Sequence, residues 1–142
     1  MRGGYLHNML LIGSVQEECV RRDLKTATEV KVSDGIRTGY IDLVIEGDGY
    51  RIAVEAELTS KRIDKDLWKA RLARVDELWL LVPNKRIEKS LRRRLARLPR
   101  PSEELAIYVL PLGGALKELS NRFSLIFMPN QTQKTNKERD CS

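Results

Sequence analysis

Apolar residues recur at helical spacing in the first part of the chain, from about Tyr5 to Leu24. This periodicity predicts an amphipathic helix. After Ala27 the period changes to two, and residues 28–32 alternate between polar and apolar, as in a half-buried strand. A turn is predicted at Ser33-Asp34-Gly35. The apolar positions of the helix are Leu11, Val15, Cys19 and Val20, with Leu24 closing the face.

Two β-rich runs, Thr38–Glu46 and Tyr50–Thr59, surround Gly47-Asp48-Gly49, and this arrangement predicts a β-hairpin. Side chains of a strand alternate between its two faces. In the second run one face therefore carries the apolar residues, and the other face carries Glu55 and Glu57. The apolar face is predicted to hold Ile52, Val54, Ala56 and Leu58.

The second half of the chain is predicted to alternate helices and buried strands. Leu78–Val82 is a continuous apolar run ended by Pro83, which is typical of a strand covered on both faces of a sheet. Gly113-Gly114 is predicted to interrupt regular structure, and Phe123–Met128 is predicted to be a last strand. The remaining elements are a helix capped by Ser60 and reaching Arg74, a helix capped by Asn84 and reaching Leu98, and a buried strand from Leu105 to Leu110.

The resulting order, α-β-β-β-α-β-α-β, predicts an α/β fold with a mixed central sheet flanked by helices. A chain of 142 residues is the usual size of one domain. We expect that domain to cover residues 1–128, and we expect the polar segment 129–142 to be a disordered tail.

Composition narrows the classes of function. Lysine and arginine outnumber the acids by 26 to 20, and the net charge of +6 favours polyanionic partners, nucleic acid above all. Cys19 and Cys141 are too few and too far apart for a disulfide framework or a zinc site. The single His7 excludes schemes that need several histidines. Because no signal peptide or long apolar run is found, we expect a cytoplasmic protein without membrane contact.

Three carboxylates are predicted to meet at one end of the hairpin. Strands joined by a tight turn run antiparallel, so Asp42 and Glu55 should be close neighbours, and Glu57 shares the face of Glu55. Clustered carboxylates repel one another unless a cation or a proton compensates. Hard oxygen ligands suit Mg²⁺ or Mn²⁺, which makes a metal site one interpretation. The alternative is that these acids only decorate a solvent-facing strand.

The segment around this hairpin resembles a known family. Ile41-Asp42-Leu43-Val44 and Val54-Glu55-Ala56-Glu57 resemble the signature of PD-(D/E)XK nucleases, with archaeal Holliday-junction resolvases as the nearest likeness. The first helix also resembles theirs, with its glutamate at Glu17. Over residues 10–82 the resemblance implies a restriction-endonuclease-like αβββαβ core. It also implies that Asp42 and Glu55 bind the metal and that Glu17, with Glu18 as competitor, contacts the metal or its water.

One position departs from that family, whose members usually have lysine where this chain has Glu57. Glu57 could act as a general base or as a further metal ligand, or Lys61 could reach back into the site. The expected function is a divalent-metal-dependent DNA endonuclease that hydrolyses phosphodiester bonds with an activated water, acting on branched or repair substrates. The alternative is a catalytically inactive nuclease-fold module that binds DNA or protein. By family analogy, a homodimer is also expected.

Two basic segments are candidates for contact with DNA. Between Lys85 and Arg100 there are eight basic residues and one acidic residue, arranged around apolar positions that we expect to pack in the core. Such a face could hold phosphates, although charged helix faces are often merely solvated. A basic scaffold protein with incidental acids is the third alternative. The predicted DNA contacts are Arg62, Lys65, Lys69, Arg93 and Arg97.

Overall fold

A computed structural model of the protein describes residues 3–99 and 105–123, with the backbone alone for residues 3–7. Within these ranges, no helix is long and apolar enough to cross a membrane. Nine helices and strands make up the described part of the chain. They are α1 (Gly3–Arg21), β1 (Lys25–Ser33), β2 (Thr38–Gly47), β3 (Tyr50–Ala56), α2 (Ile63–Ala73), β4 (Glu77–Val82), α3 (Lys85–Arg97), β5 (Ala106–Pro111) and α4 (Leu112–Phe123).

The strands form one five-stranded sheet in the order β1-β2-β3-β4-β5. The first two pairings are antiparallel, and the pairings of β3 with β4 and of β4 with β5 are parallel. Helices α1 and α4 cover one face, and α2 and α3 cover the other. The predicted α/β architecture, a mixed sheet flanked by helices, is therefore confirmed.

The central strand β4 shows why both faces of the sheet are apolar. All six of its residues are buried. Leu78 and Leu80 pack with α2 and α3, whereas Trp79 and Leu81 pack with α1 and α4. A strand covered on both faces reads as a continuous apolar run, and the sequence shows that run. The edge strand β1 is mostly exposed by contrast.

The two helices that follow β3 and β4 begin in different ways. The side chain of Asn84 accepts a hydrogen bond from the Ile87 amide at 2.9 Å, which confirms the predicted cap of α3. The predicted cap of α2 by Ser60 is wrong, because that helix begins at Ile63 and has no side-chain cap. The residues after β3 form bends and a turn before the helix starts. Asp64 and Asp66 in the first turn place negative charge at the positive end of the helix dipole.

The end of the described chain differs from the prediction. Gly113-Gly114 does not interrupt the structure, because α4 begins at Leu112 directly after β5 and includes both glycines. Each glycine disfavours a helix by only about 1 kcal/mol, and packing of the apolar helix face outweighs that cost. Phe123 is the buried last residue of α4 and not the first residue of a strand, and residues 124–128 lie outside the described part. The predicted apolar position Val20 is exposed.

Candidate metal centre

Strand β2 extends beyond its partner β3, and its side-chain alternation shifts near Asp42. Residues 43–47 pair with β3, whereas residues 38–41 pair with β1 alone. Ile41 and Val44 both face α2 and α3, so the alternation of side chains shifts by one residue between them. The Asp42 carboxylate accepts a hydrogen bond from the Ala56 amide at 2.9 Å, and the Asp42 amide lies 3.4 Å from Glu55 Oε1. The predicted proximity of Asp42 and Glu55 is confirmed.

Three buried carboxylates gather where β3 ends. Glu55 is the penultimate residue of β3, and Glu57 follows the strand with its amide donating to the Leu81 carbonyl at 2.9 Å. The third member is Asp66 from the first turn of α2. One oxygen of each side chain lies within 4.8 Å of the others, and their exposed fractions are 1%, 3% and 0%. We call Glu55, Glu57 and Asp66 the acidic trio.

Lys69, one turn after Asp66 in α2, supplies a buried positive charge to the acidic trio. Its Nζ lies 2.8 Å from Glu55 Oε2 and 3.7 Å from Asp66 Oδ1, and it donates a hydrogen bond to the Tyr40 carbonyl at 2.7 Å. Only 1% of the lysine is exposed. Gly39 makes this position possible, because a Cβ there would stand 2.9 Å from the lysine Cδ.

Burial controls the protonation of the acidic trio. It raises the pKa of Glu55 to about 8, with the neighbouring charge of Asp66 adding to the effect and Lys69 opposing it. It raises the pKa of Asp66 to about 9, with a further contribution from the hydrogen bond to Glu57. The pKa of Glu57 is also raised, first by burial. Without a cation, the cluster therefore holds protons at neutral pH.

The donor atoms of the acidic trio fit a hard divalent cation. Asp66 can share a hydrogen bond with Glu57 only while one of the two carries a proton. When both are ionised, neither oxygen of Asp66 has a donor within the described residues. Glu55 Oε2 likewise accepts no well-oriented hydrogen bond, and its contact with Lys69 is an ion pair. Buried oxygens without donors are costly unless a cation or a proton satisfies them.

The structure separates Glu17 from the acidic trio. Helix α1 packs on the sheet face that holds Val54, whereas Glu55 points to the opposite face, toward α2. Glu17 is exposed beside Gln16, Val20 and Arg21. The predicted contact of Glu17 with the metal is therefore wrong, because the sheet lies between them. The competing Glu18 forms ion pairs with Arg21 and Arg22 on that same helix.

The basic residues predicted to contact DNA or the site, in α2 and just before it, take different positions. Lys61, Arg62 and Lys65 are exposed. Arg62 is close enough to the acidic trio for its charge to oppose the raised pKa values of Glu57 and Asp66. Lys69 was predicted to contact DNA at the surface, and this is wrong, because the side chain is buried in an ion pair with Glu55.

Asp66 is the site residue that the sequence analysis missed. The sequence contained a sign of this role, because Asp66 lies beside the apolar stripe of α2. That stripe consists of Ile63, Leu67 and Ala70. At this position of α2 the acid is buried, and a buried acid needs a partner. Lys69 three residues later continues the same polar edge of the stripe.

The comparisons with known proteins support the architecture. No known family model matches the chain, and no curated protein matches it significantly. One solved structure that matches is titled "Crystal Structure of Protein of Unknown Function AF1548", with a TM-score of 0.52 and 13% sequence identity. The match covers 78% of this chain and 67% of that chain. At this identity the likeness shows an α/β fold in common, and any function has to be argued from the site.

Proposed function

We propose that this protein is a divalent-metal-dependent DNA endonuclease with a restriction-endonuclease-like core. The observation that carries the proposal is the acidic trio, a set of three buried carboxylates beside Asp42 and the buried Lys69. The element order α1-β1-β2-β3-α2-β4 supports it, because it agrees with the αβββαβ order that the family resemblance implies. The acids also lie near the carboxyl end of a parallel strand, a common location for ligand sites in α/β sheets.

Mg²⁺ or Mn²⁺ would be held by Glu55, Glu57 and Asp66, with Asp42 at the edge of the site. Such an ion lowers the pKa of a bound water and stabilises negative charge on a phosphodiester. The chain itself contributes a preformed set of oxygens, because β3 fixes Glu55 and α2 fixes Asp66. Asp42 holds the end of β3 in place through the Ala56 amide.

The family that this chain resembles usually has a lysine where this chain has Glu57. We propose that Lys69 replaces that lysine. It comes from α2 instead of β3 and still places its ammonium group 2.8 Å from Glu55. We assign it the role of orienting Glu55 and of balancing part of the charge of the acidic trio. Lys61, the alternative lysine, is exposed and has no ion pair within the described residues. The departure at Glu57 is then compatible with activity.

A second candidate is a nuclease-fold module that binds DNA or protein without cutting. The observation that favours it is the buried ion pair of Lys69 with Glu55, which occupies part of the acidic site with a fixed positive charge. In such a module the raised pKa of Asp66 would keep that acid neutral without any metal. Branched substrates and a homodimer remain proposals under both functions.

Cleavage of labelled DNA tests the proposed function. The purified chain is incubated with linear duplex, single strand and four-way junction in Mg²⁺, Mn²⁺ or EDTA. We expect metal-dependent cleavage that falls by at least about a hundredfold in Glu55→Gln and Asp66→Asn, because each removes a candidate metal ligand. Asp48→Asn, at the exposed hairpin turn, is the control and should cut normally. Binding without cutting on every DNA would contradict the endonuclease and favour the module.

A further inference from the structure

Helix α3 presents a straight row of positive charge to solvent. Positions spaced by three or four residues lie on one side of a helix, and four exposed basic residues follow this spacing over about 16 Å. We call them the α3 stripe. The α3 stripe consists of Arg86, Lys89, Arg93 and Arg97.

The members of the α3 stripe differ from the other arginines of the helix in having no anionic partner. Arg92 forms an ion pair with Glu88, and Arg94 forms one with Asp64 while approaching the Ser60 carbonyl at 3.4 Å. Within residues 3–99 and 105–123, no ion pair or side-chain hydrogen bond involves a member of the α3 stripe. Four cations are therefore available to an external anion.

The fold itself gains nothing from this arrangement. Like charges at neighbouring positions of a helix repel one another, and Arg86 lies in the first turn, where the helix dipole disfavours a cation. The opposite side of α3 is occupied by its own packing, since Ile87 and Leu91 are buried in the core. The α3 stripe therefore destabilises the helix electrostatically and forms no ion pair or side-chain hydrogen bond within the described residues that would offset this cost. This imbalance points to a ligand.

We infer that the α3 stripe binds the phosphate backbone of duplex nucleic acid, without reading its sequence. A row of exposed cations suits regularly spaced phosphates. A membrane surface is disfavoured, because a helix that binds lipid needs a free apolar face and the apolar face of α3 is buried. Single-strand binding is disfavoured, because residues 83–101 contain no aromatic side chain on which a base could stack.

The α3 stripe lies on the same side of the sheet as the acidic trio. Arg94, next to Arg93 in sequence, contacts Ser60 and Asp64, and this connects α3 to the segment that joins β3 to α2 and to the first turn of α2. A duplex held along α3 would therefore run beside the segment that follows Glu57. This inference rests on the proposed function, which makes the bound duplex a substrate. It adds to that function the surface that positions the substrate.

The experiment measures binding in EDTA, so its outcome is independent of cleavage. One variant carries Arg86→Ala, Lys89→Ala, Arg93→Ala and Arg97→Ala. The matched control carries Lys25→Glu and Lys117→Glu, which are exposed on β1 and on α4, and both variants lower the net charge from +6 to +2. Fluorescence anisotropy with a labelled duplex, the corresponding single strand and vesicles containing phosphatidylserine is recorded as a function of salt.

In the stripe variant we expect duplex affinity at low salt to fall on the order of a hundredfold, and the slope of log affinity against log salt to decrease by about 3 to 4. The control should lose far less. The melting temperature of the stripe variant should stay the same or rise, because repulsion is removed and alanine favours a helix. Equal losses in both variants would overturn the inference, as would stripe-dependent binding to vesicles or preferential binding to single strand.

Discussion

At the scale of single residues, the unusual feature is a lysine with 1% exposure beside acids whose pKa values are raised by burial. A buried ion pair is rarely worth more than apolar packing, but removing one partner leaves an uncompensated charge. Lys69 contacts Glu55 and Asp66 and also satisfies the Tyr40 carbonyl. Its side chain therefore connects β2, β3 and α2 at the point where the site is formed.

The change Lys69→Met should lower the free energy of unfolding by about 3–5 kcal/mol near pH 9, where Glu55 is ionised and loses its counter-charge. The loss should be smaller near pH 6, where a protonated Glu55 needs no partner. Urea denaturation at the two pH values measures both effects. Lys65→Met, at an exposed position of the same helix, is the control and should change stability by less than about 0.5 kcal/mol. Equal stabilities of the two variants would contradict the assigned role.

At the scale of elements, local sequence patterns correctly predicted the segments in which the apolar spacing and the turn residues match the packing in the fold. The hairpin of β2 and β3, the buried run of β4 and the Asn84 cap of α3 were all evident from periodicity and turn residues. Helix α4 was missed because Gly113-Gly114 favours a turn locally. Burial of Ala115, Leu119 and Phe123 against the sheet is a tertiary effect, which no short window of sequence contains.

Two glycines of different elements should respond in opposite ways to alanine. Gly113→Ala should stabilise the protein by about 0.5–1 kcal/mol, because a Cβ there meets nothing within 4 Å and alanine favours the helix. Gly47→Ala should destabilise it, because a Cβ there would stand 2.7 Å from Leu24 Cδ2 and 2.9 Å from the Phe123 ring. Thermal unfolding of both variants measures the difference. A loss of stability in Gly113→Ala would contradict the assignment of this residue to α4.

At the scale of the whole molecule, the sequence predicted the sheet architecture and three of the five residues of the candidate site. Asp42, Glu55 and Glu57 lie in or directly after one hairpin, and their proximity follows from strand pairing. Asp66 and Lys69 arrive from α2, and their inward orientation depends on how that helix crosses the sheet. The resemblance placed Glu17 wrongly because the path of α1 across the opposite face is likewise a property of the complete fold.

The charge of the acidic trio also makes global stability depend on pH. In the unfolded chain Glu55 and Asp66 have their ordinary pKa values of 4.5 and 3.8. In the folded chain their pKa values are about 8 and about 9, so the protons are held to higher pH. Between these limits the folded state binds more protons, so the contribution of these groups to stability falls as pH rises. A divalent cation that replaces the protons should therefore stabilise the protein more strongly at higher pH.

The most direct test of the central claim is the melting temperature from about pH 4 to about pH 9, in EDTA and in Mg²⁺, for wild type, Asp66→Asn and the exposed control Asp48→Asn. We expect wild type and the control to lose stability in EDTA as pH rises and to regain it with Mg²⁺. Asp66→Asn should lose less in EDTA and gain little from the ion. A metal centre at the acidic trio would be contradicted if Mg²⁺ did not change the melting temperature at any pH. It would also be contradicted if the pH profile of Asp66→Asn were identical to that of wild type.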